Sequence, residues 1–122
     1  METLEGRQSV LAALKARQRK FDVILLRHGM HTEPIQDLLD LAGQLNVPIR
    51  YVRNEELEQM THGSSHGGVA AVASPKPRMS AAELSAALDR VAAPLLLLLE
   101  GVDDARNLGF TLRTAEACGA TA

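Results

Sequence analysis

The feature that most constrains this chain is the switching of its hydrophobic period. Short apolar runs alternate with segments whose apolar residues recur three and four apart. Phe21 to Leu26 (Phe-Asp-Val-Ile-Leu-Leu) reads as a buried strand, Pro48 to Arg53 alternates as a half-buried strand does, and Val69 to Ala73 is a third, small strand. Arg7 to Arg19 reads as a helix, with Val10, Leu11 and Leu14 on one stripe. Thr32 is positioned to cap a second helix, with Pro34 in its first turn and Ile35, Leu38, Leu39, Ala42 and Leu45 at helical spacing. Asn54 is read as the cap of a short helix over Glu55 to Met60. Strand–helix alternation of this kind predicts an α/β class with mostly parallel pairing.

Thr61 to Gly68 is a loop by composition, and Ser74-Pro-Lys-Pro-Arg78 is stiff, extended and linker-like. Beyond it, Ser80 and Glu83 have capping-box spacing for a helix through Arg90. Leu95 to Leu99 reads as a fully apolar strand, Glu100 to Arg106 as a polar loop, and Leu108, Leu112 and Ala115 as the stripe of a last helix that Gly119 stops. The expected organisation is a domain over 1–73, a linker over 74–79 and a second domain beginning at 80 and running to 122. A lone strand and helix cannot cover both faces of a sheet, so 80–122 is expected to be the opening fragment of a larger domain.

Composition removes several classes of function. With 46% hydrophobic and 23% charged residues, the 122-residue chain has a globular balance and is long enough to bury a core without disulfides. The net charge of −2 gives no global polyanion-binding signature. Three aromatics, Phe21, Tyr51 and Phe110, are too few for a protein built on serial base stacking. The single cysteine, Cys118, suits a reducing compartment. No apolar run is long enough to cross a bilayer, and the acidic start Met1-Glu2-Thr3-Leu4-Glu5 is no secretory signal, so a cytoplasmic protein is expected.

Charge is nonetheless unevenly placed. Residues 1–30 carry six basic groups against three acidic, and residues 31–60 carry two against six. The basic first helix is therefore the candidate polyanion-binding patch, with a solvated helix face as the alternative. The four histidines, His28, His31, His62 and His66, come as two close pairs beside one cysteine, short of the three or four supported ligands a zinc site needs, so no metal is expected.

The strongest constellation runs from Leu95 to Gly119. A polar loop follows a buried run, at the strand end where open α/β sheets place ligands. Asn107 sits at the loop-to-helix junction, and Arg113 lies roughly 9 Å further along the helix axis. Spacing alone leaves open that Asn107 is only a helix cap and Arg113 a surface cation. Glu100-Gly-Val, Asp104, Arg106-Asn-Leu-Gly109, Arg113-Thr-Ala115 and Gly119 together resemble the first signature motif of the SpoU (TrmH-type) RNA ribose methyltransferases of the SPOUT class. Ala105 replaces the family's usual proline. Upstream, Gly6-Arg7, Val10, Leu14, Leu57, His66-Gly-Gly-Val69 and Ala71 resemble the family's substrate-binding domain, with Gly67 where glutamine is usual.

The resemblance implies a three-layer α/β/α RNA-binding module related to kink-turn-binding ribosomal proteins, followed by the first strand and helix of a SPOUT α/β-knot domain. It implies methyl transfer from S-adenosyl-L-methionine to a ribose 2′-hydroxyl of RNA, ribosomal RNA before transfer RNA. Asn107 and Arg113 would be catalytic, and Arg7, Arg17, Arg19 and His66 would contact RNA. The family holds the cofactor through two later motifs that are not found here, so the fragment alone is expected to be inactive and the full-length protein a homodimer. The alternative is a non-catalytic, kink-turn-type RNA-binding module. A third reading, an unrelated small enzyme using Glu100, Asp103 or Asp104, lacks any phosphate loop or nucleophile motif.

Overall fold

The computed structural model describes residues 1–122, which divide into two compact units, Met1–Pro77 and Arg78–Ala122. The first unit contains β1 (Glu2–Glu5), α1 (Arg7–Ala16), β2 (Phe21–Arg27), a 3-10 turn (Glu33–Ile35) running into α2 (Gln36–Gln44), β3 (Ile49–Val52), α3 (Asn54–Met60) and β4 (Val69–Ala73). The second contains α4 (Ala81–Asp89) and α5 (Ala105–Ala117).

The four strands form one mixed sheet in the order β1-β4-β2-β3. Pairing of β2 with β3 is parallel, as the α2 crossover requires. The other two pairings, β1 with β4 and β2 with β4, are antiparallel, which corrects the mostly parallel expectation. Gly67 and Gly68, at φ 57° and 83°, reverse the chain between α3 and β4. The Ala-rich β4 then fills the slot between β1 and β2. β1 is not among the elements expected from the sequence, because Glu2–Glu5 is an edge strand held by backbone bonds to β4 and carries little apolar pattern.

Alternation along β2 separates two cores. Ile24 and Leu26 join Val10, Leu11 and Leu14 of α1, Leu38 and Ala42 of α2, and Ile35, Val69 and Ala71. Leu25 points the other way, to Val52, Leu57 of α3 and Ala70. Fully burying a leucine such as Leu14 or Leu38 contributes about 1.5–3 kcal/mol.

Helix ends differ from expectation where tertiary geometry wins. α1 stops at Ala16 because Arg17 turns left-handed, φ 53°. Neither Thr32 nor Asn54 caps through its side chain. Asn54 lies inside α3, where its amide donates to Glu58 at 2.8 Å. The Ser80–Glu83 capping box is fully formed, with both reciprocal hydrogen bonds present.

In the second unit, Leu95 to Leu99 is not a strand. Its only backbone partners are Thr121 and Ala122: Leu97 N–H donates to the Ala122 carbonyl at 2.8 Å, and Thr121 N–H to the Leu95 carbonyl at 2.7 Å. Two partner residues do not sustain a ladder, and no residue of this unit is buried. Gly119, at φ 78°, ends α5 as a C-terminal glycine should.

Candidate RNA interface

Gly6 precedes α1 with φ 82°, a conformation that disfavours a side chain, and its N–H donates to the Val69 carbonyl at 2.9 Å. That bond brings Glu5-Gly6-Arg7 beside the loop Thr61–Gly68. Glu5 Oε1 accepts from both the backbone N–H of His62, at 2.9 Å, and its ring Nδ1, at 2.6 Å. These bonds hold the Glu5 carboxyl below its usual range.

His66 lies inside this loop, 2% exposed. Its Nδ1 accepts from Gly68 N–H at 2.9 Å, so the ring proton is assigned to Nε2, which is buried without a partner. Sequence reading placed His66 against RNA or within the loop; the structure puts it under the surface as a brace of the Gly67-Gly68 turn.

Arg7 opens α1 and reaches across to α2, where one guanidinium nitrogen lies 3.1 and 3.3 Å from the two carboxylate oxygens of Asp37. Lost solvation pushes the Asp37 carboxyl up, but the Leu38 N–H and Arg7 outweigh it and hold it below the usual range. Arg7 Nε is buried and unpartnered.

Arg17 and Arg19 stand at the other end of α1, roughly 15 Å from Arg7 at 1.5 Å per residue. They line a surface groove of about 430 Å³ with Lys20, Phe21, Leu45 and Asn46. Arg17 is exposed and makes no ion pair. Arg19 is largely enclosed, bonded to Glu2 at 2.8 Å and to the Ser74 carbonyl at 3.2 Å. The structure thus does not gather Arg7, Arg17 and Arg19 into one patch, and two of the three already hold carboxylates. Glu2, Glu5, Asp37 and His62 gave no sequence signal, because their partners lie between 17 and 57 residues away.

Asn107 and Arg113 lie on α5. The cap there is Asp104, not Asn107: its carboxylate accepts from the N–H groups of Arg106, at 2.7 Å, and Asn107, at 3.1 Å. Asn107 therefore sits at the third helical position with its side-chain amide unused by the helix. Arg113, exposed and without an ion pair, lies about 120° round the helix from it, at 100° per residue. Nowhere do three His, Cys, Asp or Glu side chains gather as a metal would need.

The first unit is thus a small α/β module with a glycine-led helix start set against a His-Gly-Gly loop. The sequence model for RNA 2′-O ribose methyltransferase substrate-binding domains matches residues 3–79, and the chain belongs to this SpoU family. It is 35% identical, over 99% of its own length and 49% of the other's, to the 23S rRNA (guanosine-2′-O-)-methyltransferase RlmB of Pasteurella multocida. It is 36% identical, over 100% and 49%, to RlmB of Pseudomonas putida. Among solved structures, a protein of unknown function from Bacillus halodurans C superposes on 58% of this chain and 70% of its own, with 21% identity and a TM-score of 0.48. The chain spans about half the length of the RlmB proteins it matches.

Proposed function

We propose that this chain provides the RNA-binding module and first catalytic motif of an enzyme that methylates a ribose 2′-hydroxyl of ribosomal RNA. The observation that carries the reading is sequence identity to RlmB that runs through both units, from the substrate-binding module into the Asn107–Arg113 segment. That continuity favours an enzyme over a free-standing RNA-binding module.

The methyl donor in this reading is S-adenosylmethionine, whose sulfonium carbon is the electrophile. It is held by the portion of the relatives' length that this chain does not span. Transfer would form an O–CH3 bond and break the S–CH3 bond, releasing S-adenosylhomocysteine, while the ribose hydroxyl gave up its proton to solvent as negative charge grew on oxygen. A guanidinium beside that oxygen stabilises the charge, and its planar fork grips the neighbouring phosphate through two N–H donors. Arg113 takes this role. Asn107, its amide left free by the Asp104 cap, orients the substrate beside it.

In the first unit, three layers form, with α1 and α2 on one face of the sheet and α3 on the other. Arg17 contacts phosphate directly. Arg7 and Arg19 do so from their ion pairs, and His66 acts by holding the Gly67-Gly68 turn. The full-length protein works in the cytoplasm as a homodimer. Titrating labelled 23S rRNA fragments against the 122 residues tests the RNA role. Saturable binding that discriminates among fragments is expected; equal binding of any polyanion contradicts it.

A further inference from the structure

The chain has three aromatic residues. Phe21 packs against the larger core, and Phe110 lies on α5. Phe110 is exposed too, but only Tyr51, 47% exposed, pairs with another ring, that of His28, with centroids 6.0 Å apart and planes inclined at 31°. The fold builds this pair. Tyr51 lies on β3, an edge strand whose only neighbour is β2, opposite Leu26. His28 follows β2 by one residue and is tied to β3 through its N–H, which donates to the Val52 carbonyl at 2.8 Å.

The surroundings suit an anionic ligand with a flat ring. Arg27 closes β2 and Arg53 follows β3 directly, at the same end of these paired strands; by alternation Arg53 shares the Tyr51 face, while Arg27, opposite Val52, lies on the α3 face. Both are exposed and free of ion pairs, whereas Arg50 is occupied by Glu56 at 2.7 Å. His28 and Tyr51 are both exposed, so ring surface remains available to a third ring. No part of the Arg7, His66 or Arg113 account uses this corner.

We propose that His28 and Tyr51 form a stacking platform for one unpaired base of the RNA, with Arg53 taking a flanking phosphate. The inference rests on the RNA-binding reading above. RNA is read largely through unstacked bases laid on aromatic side chains, and stacking tolerates any base because each has a π-face. A phosphate contact from Arg53 fixes the register of the strand without adding sequence preference.

The test uses the 122-residue chain and a hairpin RNA with 2-aminopurine at one loop position, beside the same label in a full duplex. The wild-type chain is expected to bind the hairpin more tightly and to quench the loop fluorophore on binding. Tyr51→Ala should weaken hairpin binding by about tenfold, the scale of one lost base stack, and abolish the quench. Tyr51→Phe should keep both, and His28→Ala should reduce the quench. Arg53→Ala should lower affinity and salt dependence while the quench persists. Because Tyr51 and His28 are exposed, thermal midpoints should stay unchanged. A Tyr51→Ala chain with wild-type affinity and quench overturns the platform and leaves the RNA reading standing. Failure of the wild-type chain to bind either RNA overturns both.

Discussion

Glu5 and His62, 57 residues apart, meet at 2.6 Å between Oε1 and Nδ1, and the same oxygen takes the His62 backbone N–H at 2.9 Å. This contact fastens the end of β1 to the loop that holds His66. It is the link between the glycine-led start of α1 and the His-Gly-Gly turn.

The contact sets a pH dependence. The Glu5 carboxyl is depressed in the folded chain through the side-chain and backbone bonds from His62. A depressed carboxylate contributes stability that is present above its ordinary value of 4.5 and is lost as pH falls through the lower folded value. Wild type should therefore be more stable than Glu5→Gln near neutral pH, and the gap should close in acid below that ordinary value. Urea melts of both proteins across that range measure it.

The glycine turn gives a second test. A side chain at Gly68 would be strained at φ 83° and would meet Arg27 Cβ and Met30 Sδ at 3.4 Å. Gly67 has positive φ but open space around it. Gly68→Ala should cost about 1–3 kcal/mol and Gly67→Ala only about 1 kcal/mol, read from denaturant midpoints. Gly67→Gln, the residue usual in the family, should resemble Gly67→Ala.

His66 should behave as a buried brace. His66→Ala leaves the Gly68 N–H unpaired and opens a cavity, an expected loss of about 2–4 kcal/mol. His66→Asn can return an acceptor to Gly68 and should recover part of that loss. Hydrogen exchange at Gly68 distinguishes the two, with faster exchange in the alanine variant.

The two ends of α1 should respond differently. Arg17→Ala should leave the fold intact and reduce the salt slope of RNA binding by about one phosphate. Arg7→Ala should also break the half-exposed pair with Asp37 and so lower stability slightly. Paired melts and salt titrations separate these effects.

What the sequence made legible was local. Ile24, Leu25 and Leu26 read as buried because a run of that length has no other use, and the Ser80–Glu83 box formed because its partners are three residues apart. Antiparallel insertion of β4 was not legible: strand order depends on the Gly67-Gly68 reversal and on backbone bonds that any sequence can make. β1 was hidden for the same reason. Leu95 to Leu99 shows the converse error, since an apolar run becomes a strand only when enough backbone lies alongside. At the site, Arg7 and Arg19 were legible as cations but not as members of ion pairs, and Asp104 took the capping role that spacing had left open for Asn107.

Arg113 is proposed as the catalytic arginine of an RNA 2′-O-methyltransferase. The most direct test is single-turnover methyl transfer to a 23S rRNA fragment by the enzyme at the full length of its relatives, with and without Arg113. Arg113 is exposed and makes no ion pair, so Arg113→Ala should fold with an unchanged thermal midpoint. Methyl transfer should fall at least about a hundredfold with cofactor binding little altered, and Arg113→Lys, which keeps charge but loses the planar fork, should lie between. A folded Arg113→Ala enzyme that transfers methyl at the wild-type rate would contradict the account.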